Sequence, residues 1–60
     1  MQVYVNGQLV ALLVGMTVKH ALIAAGRLEE VASGKQVYDE WGNEMGLAGA
    51  VRDGMKLIVR

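Results

Sequence analysis

Few side chains in this sequence could take part in chemistry. His20 is the only histidine, and cysteine is absent. No Cys, Ser or Asp stands at a catalytic spacing from His20, so we interpret it as an ordinary surface histidine rather than a base or ligand. The absence of cysteine excludes a disulfide framework, a thiolate zinc site and an iron–sulfur cluster on cysteine ligands. We therefore expect no catalytic residue, no metal site and no cofactor.

An acidic cluster surrounds the single tryptophan. Asp39, Glu40 and Glu44 flank Trp41 and Gly42, and carboxylate oxygens at close spacing are ligands for Ca²⁺ or Mg²⁺. The spacing departs from the pattern of an EF-hand loop. We interpret the segment as a polar turn between strands, in which Gly42 or its neighbour takes a positive φ.

The basic residues near the end of the chain are the other charged group. Arg52, Lys56 and Arg60 fall within nine residues, but six Lys and Arg balance six Asp and Glu over the whole chain. A neutral chain has no general field that attracts nucleic acid or an anionic membrane. We expect these cations to form a solvated face. The three aromatic residues, Tyr4, Tyr38 and Trp41, are too scattered along the sequence to predict a surface for stacked bases.

Length and composition predict one small folded domain over residues 1–60. The 60 residues are 53% hydrophobic, with a mean hydropathy of +0.31, which disfavours intrinsic disorder. The longest apolar run is Leu9–Val14, far shorter than the ~20 residues that cross a bilayer. With no targeting segment visible, a cytoplasmic location and no membrane contact are the expectation.

The first fourteen residues have the pattern of a β-hairpin. Asn6-Gly7 tolerates the positive φ angles of a type I′ turn, and it lies between two apolar segments, Met1–Val5 and Gln8–Val14. A two-residue turn fixes the register, so Tyr4 must face Leu9. One face of the hairpin is then suited to the core and carries Met1, Val3, Val5, Val10 and Leu12.

A helix and three further strands are predicted after the hairpin. Thr17 is a plausible N-cap, and an apolar stripe follows it at helical spacing until Gly26. A second helical turn over 27–33 precedes a short strand over 35–39, a brief return strand at 44–45 and a glycine-rich loop over 46–51. Arg52–Gly54 predicts a tight turn that leads into a last strand over 55–60. Since a hairpin opens the chain and a strand closes it, the last strand is expected beside the first and parallel to it.

This order resembles the β-grasp domains of the ubiquitin-like superfamily. Met1–Val5 is similar to the first strand of ubiquitin, the run from Gly15 to Leu22 is similar to a G-x-T-V-x-x-A-L motif at the start of the helix, and Asp53–Ile58 is similar to the D-G-x-x-[LIV] motif before the last strand. The spacing resembles that of the sulfur carriers of thiamine and molybdopterin synthesis and of the TGS modules. The resemblance implies an α+β fold, with a mixed sheet of four to five strands packed on one helix.

The same resemblance offers alternative functions. Sulfur carriers and ubiquitin carry a flexible tail ending in Gly-Gly, whose carboxylate is adenylated, whereas the sequence of this chain ends at Arg60 with its last strand. We therefore expect thiocarboxylate and isopeptide chemistry to be absent, and a degenerate or tail-less sulfur carrier remains the alternative. A TGS-like module that binds a small ligand or RNA is the third possibility.

The outer face of the predicted sheet is the most informative feature. Tyr4, Leu9, Leu13 and Ile58 should lie on the side away from the helix, where the resemblance implies a recognition patch. The alternatives are a sheet that tolerates two apolar faces, or partial cover of this face by the loop over 46–51. Trp41 is expected to be a lid over the small core or an anchor for a partner, with the lid favoured because the chain has no Phe. The leading hypothesis is a non-catalytic module that docks on a protein partner or forms a homo-oligomer.

Overall fold

The first two strands form the predicted hairpin. The computed structural model describes residues 1–60, with β1 at Gln2–Val5 and β2 at Gln8–Ala11. Tyr4 lies opposite Leu9 in this antiparallel pair, which confirms the predicted register. Asn6 and Gly7 have φ values of 49° and 83°, as the type I′ turn requires. The second strand ends at Ala11, three residues before the predicted end.

Two helices follow the hairpin. The helix α1 spans Val18–Ala25 with Thr17 as its N-cap, and Gly26 ends it in the left-handed conformation with a φ of 72°. A shorter helix, α2, spans Leu28–Ala32. Main-chain N–H groups at the start of α1 donate to the carbonyls of the loop over 46–51, with Val18 bonding to Gly49 at 3.0 Å. Gly49 suits this close packing, because a Cβ at that position would lie 3.0 Å from a main-chain oxygen.

The remaining strands complete a mixed sheet. These strands are β3 at Val37–Asp39, β4 at Glu44–Met45 and β5 at Lys56–Val59. The order across the sheet is β2-β1-β5-β3-β4. The pair β1 and β5 is parallel, and all other pairs are antiparallel. The predicted α+β class with a mixed sheet is confirmed, and its layout is compatible with a β-grasp.

The core lies between one face of the sheet and α1. Its eleven buried side chains are all aliphatic and come from both layers: Val3, Val5, Val10, Leu12, Val18, Ala21, Leu22, Val37, Val51, Leu57 and Val59. The predicted core face of the hairpin is confirmed, since four of its residues are in this set and Met1 packs against it. No helix has the length and apolar character needed to cross a membrane.

Candidate functional site

The sheet has one face without a helix, and we call its central part the outer sheet face. It consists of the side chains of Tyr4, Leu9, Tyr38, Lys56, Ile58 and Arg60. Tyr4 lies opposite Leu9 on one side and Lys56 on the other, so three neighbouring strands place these side chains in a row. Leu9 is 50% exposed and Tyr4 is half-buried. The predicted association of Tyr4, Leu9 and Ile58 on one face follows from this register.

Tyr38 joins the outer sheet face, although the sequence did not predict it there. It lies opposite Ile58 in the antiparallel pair of β3 and β5. The guanidinium of Arg60 stands 4.7 Å from the centre of the Tyr38 ring, within the range of a cation–π contact. The available signal for its position was the alternation of side chains along a strand, which places Tyr38 on the face opposite its buried neighbours Val37 and Asp39. Two tyrosines that are distant in sequence therefore flank β5 on one surface.

Leu13 is not part of the sheet, contrary to the expectation that placed it on this face. The chain leaves β2 after Ala11, and the Leu13 carbonyl accepts a hydrogen bond from Met16 N–H at 3.2 Å. Gly15 has a φ of 94°, so the chain turns toward the helix and the long apolar run does not continue as a strand. The Leu13 side chain is 72% exposed just beyond the end of β2.

The loop over 46–51 does not cover the outer sheet face. It packs on the opposite side of the sheet, where Leu47 accepts a hydrogen bond from Lys19 N–H at 3.0 Å and Val51 is buried in the core. Its carbonyls satisfy N–H groups that the first turn of a helix leaves without partners. Partial cover by this loop is therefore wrong, whereas a sheet that tolerates two apolar faces stays an alternative.

Trp41 does not act as a lid over the core. Its side chain is 69% exposed, in the turn between β3 and β4. The Asp39 carboxylate sets the course of this turn, because its Oδ1 accepts hydrogen bonds from the N–H groups of Trp41 and Asn43, both at 2.9 Å. Aliphatic side chains fill the core without an aromatic cap. The lid prediction is wrong, and the role of Trp41 as a partner anchor stays a prediction.

The acidic cluster forms the predicted polar turn. Asp39 is 9% exposed, and its Oδ2 accepts a further bond from Asn43 Nδ2 at 3.1 Å. Gly42 has a φ of 86°, as predicted. Burial raises the pKa of the Asp39 carboxyl, but the hydrogen bonds from Asn43, Trp41 and Gly42 together hold that pKa below its usual 3.8. The structure brings together no group of three or more His, Asp or Glu side chains that could hold a metal ion.

His20 has a structural role at the start of α1 that its sequence context did not reveal. Its Nδ1 accepts a hydrogen bond from Thr17 N–H at 3.0 Å, and Thr17 Oγ1 lies 3.1 Å from the same nitrogen. His20 is the third residue of the helix and thus takes the position of the Glu or Gln of a capping box. His20 is exposed, as expected of a surface histidine, and its role in the cap is an addition to that interpretation.

The basic residues are exposed, and two of them belong to the outer sheet face. Lys56 and Arg60 alternate with buried neighbours on β5, whereas Arg52 lies in the turn before that strand. Glu44 lies opposite Tyr38 and adds one negative charge at the β4 edge of the sheet. The outer sheet face is therefore an apolar and aromatic centre with a modest excess of positive charge.

A second surface lies on the helical side of the molecule. Ile23, Gly26, Leu28 and Glu29 line a shallow depression of about 280 Å³, and Ile23 is 53% exposed. The next residue, Glu30, forms ion pairs with Lys35 and Arg27. The hydrogen bond from Lys35 lowers the pKa of the Glu30 carboxyl, burial opposes this effect, and Arg27 lowers the pKa further. The depression is open, and Glu29 is the one charged side chain in its lining.

Comparisons with known proteins place no constraint on this site. Neither protein-family models, nor curated proteins, nor solved structures give a match to the chain. Its function is therefore inferred from the residues and geometry described above.

Proposed function

We propose that the chain is a β-grasp domain of the ubiquitin-like superfamily. The support is the strand order β2-β1-β5-β3-β4 with its single parallel pair, and the helix that crosses one face of the sheet. Two of the segments that resemble the superfamily support the proposal: Thr17 caps α1, which begins at Val18, and Asp53-Gly54 forms the turn before β5.

We further propose that this domain is a non-catalytic module that binds a protein through the outer sheet face. The observation that carries the proposal is the adjacency of Tyr4, Leu9 and Ile58 on a sheet face that has no helix or loop over it. Helices pack on only one side of this sheet, so the apolar side chains on the other side gain by burial against a second molecule. The flanking Lys56 and Arg60 suit a partner with acidic side chains around an apolar centre.

The test compares two matched surface changes. A Leu9→Lys, Ile58→Lys variant places two charges on the outer sheet face. An Ile23→Lys variant makes the same kind of change on the helical side, at a residue as exposed as Leu9. Affinity capture on the three proteins, followed by sedimentation of each purified protein with the captured partner, measures the effect. Circular dichroism verifies that all three remain folded.

The expected result separates the two surfaces. Wild type and Ile23→Lys bind the same partner, or self-associate alike, and the double variant does neither. Wild type and the double variant binding alike, or both remaining monomers that bind nothing in common, would refute the proposal. Loss of binding only in Ile23→Lys would move the site to the helical side.

A second candidate function is favoured by the two tyrosines on one face. Tyr4 and Tyr38 flank β5, whose exposed side carries Lys56 and Arg60, and aromatic rings beside cations are the means by which sheets bind single-stranded RNA. Titration with a fluorescent oligouridine at low salt tests it. RNA binding requires an affinity that weakens as salt rises and falls in a Tyr38→Ala variant. No binding at low salt would eliminate this candidate.

A further inference from the structure

The strand β2 is an open edge of the sheet, and its pairing with β1 determines which of its main-chain groups point to the open side. Leu12 N–H donates to the Met1 carbonyl and the Met1 amino group donates to the Leu12 carbonyl, both at 2.7 Å. Bonded pairs alternate along an antiparallel ladder, so Val10 and Gln8 also direct their main-chain groups toward β1. Leu9 and Ala11 therefore direct their N–H and C=O groups away from β1, to the open side of β2.

The edge of β2 has no charged side chain, proline or bulge that would prevent pairing with another strand. Charged side chains, proline and bulges are the common protections of edge strands. Gln8–Ala11 contains no charge and no proline, and its pairing with β1 is regular. The opposite edge, β4, is only two residues long and begins with Glu44. The sheet thus has one protected edge and one that is open to an added strand.

We propose that β2 pairs antiparallel with β2 of a second copy of this chain, to give a continuous ten-stranded sheet. Charge identifies the occupant. The first charged side chain of the sequence is Lys19, so no side chain of the hairpin or of the segment after it is charged. A charged peptide finds no counter-charge along this edge, whereas a second uncharged β2 meets no repulsion. The proposal concerns the edge of the sheet, so it does not depend on the outer sheet face as a docking site.

The two-fold pairing is centred on Val10. With Val10 opposite its own copy, the outward-directed groups of Leu9 meet those of Ala11 of the second copy, so both bonded pairs lie within β2. Leu9 is 50% exposed, and this register sets its side chain beside Ala11 of the second copy twice about the axis. Leu13 lies beyond the end of β2 and takes no part in the pairing.

The small area of this edge limits the affinity of the dimer. A standard interface buries about 800 Å² on each partner, which is about a fifth of the 3723 Å² surface of this chain. A four-residue edge covers less than that. We therefore expect a reversible dimer with a Kd on the order of 100 µM, at the weak end of specific interfaces.

Sedimentation equilibrium on an edge variant tests the pairing. Ala11→Pro removes the N–H that points to the open side and leaves the ladder with β1 intact, since proline is tolerated where the N–H faces solvent. Ala11→Ser keeps this N–H and is the matched control. We expect wild type and Ala11→Ser to dimerise alike, and Ala11→Pro to raise the Kd at least about tenfold while its circular dichroism is unchanged.

Hydrogen exchange of the wild type gives a second measurement that needs no variant. The amides of Leu9 and Ala11 should exchange several-fold more slowly at millimolar than at micromolar protein. The Tyr4 amide is the internal control, because it already donates to the Met55 carbonyl at 2.8 Å. A wild type that stays monomeric at millimolar concentration, or Leu9 and Ala11 amides with concentration-independent exchange, would overturn the inference.

One further comparison separates this inference from the proposed function. A dimer that persists in Ala11→Pro but is lost in Ile58→Lys would refute pairing at the edge and support the outer sheet face. A dimer that is lost in Ala11→Pro and retained in Ile58→Lys would establish the edge. It would leave the proposed binding of a different protein to be decided by the capture experiment.

Discussion

The cap formed by His20 predicts that a Glu at this position is more stabilising than an Ala, which is the opposite of the order that helix propensity predicts. Replacing His20 by Ala removes the hydrogen bond from Thr17 N–H, which is 3.0 Å long in the structure. That loss costs about 1 kcal/mol, and the better helix propensity of Ala returns about 0.5 kcal/mol, so the net destabilisation is about 0.5 kcal/mol. Replacing His20 by Glu keeps an acceptor in the capping-box position. It also adds a negative charge to a first turn that has none.

The charge makes His20→Glu the more stable protein. An acidic side chain at a helix N-terminus contributes about 0.3–1 kcal/mol, so we expect the stability of His20→Glu to exceed that of His20→Ala by about 1 kcal/mol in total. For a domain of this size that is a difference of about 4–8 °C in Tm. Intrinsic propensity alone ranks Ala above Glu. The two arguments therefore predict opposite orders.

Thermal unfolding followed by circular dichroism measures this order. Lys19→Ala, one residue earlier, is the control, because it leaves the His20 bond in place and should not lower the Tm. Raising the salt concentration should reduce the advantage of His20→Glu, since the charge is on the surface. If His20→Ala is as stable as His20→Glu, or more stable than wild type, the cap contributes nothing and the argument is refuted.

Three further predictions concern the core and the two turns. Leu22 has no exposed surface, so Leu22→Ala should cost about 2–5 kcal/mol of the roughly 3–9 kcal/mol available to a domain of this length. Ile23→Ala should cost less than about 1 kcal/mol, so urea unfolding should show a much lower midpoint for Leu22→Ala than for Ile23→Ala. Asn6→Gly keeps the turn but loses both side-chain bonds to the Val59 main chain, at 2.8 and 3.2 Å, so it should lose about 1–3 kcal/mol, and an unchanged urea midpoint would contradict this. The lowered pKa of Asp39 implies that its contribution to the stability of the fold is present above pH 3.8 and is lost as the pH falls below it. Asp39→Asn should therefore have a lower Tm than wild type at neutral pH and a Tm that is less sensitive to acid. Parallel profiles of Tm against pH for the two proteins would contradict this.

The sequence was sufficient for features that depend on neighbouring residues. Asn6-Gly7 determined the register that places Tyr4 opposite Leu9, and the spacing of Val18 and Leu22 identified the buried stripe of α1. These features arise from turn geometry and helical periodicity, which act over a few residues.

The features that the sequence did not predict depend on distant or side-chain-specific interactions. Tyr38 reaches the outer sheet face only because β3 lies beside β5, and alternation within three residues does not reveal that neighbour. The apolar run through Leu13 suggested a longer strand, but the turn toward the helix ends it. The lid prediction for Trp41 failed and the cap made by His20 was missed, because both depend on hydrogen bonds, those of Asp39 and that of Thr17.

The parallel pairing of β1 with β5 has a consequence for synthesis on the ribosome. Tyr4 is translated more than fifty residues before Lys56, its neighbour in the sheet. At about 5–20 residues per second, the first hairpin waits roughly 3–10 seconds for the strand that completes its inner side. During that interval both edges of a hairpin without charged side chains are open to pairing with other strands. The nascent chain is therefore the state most in need of a chaperone.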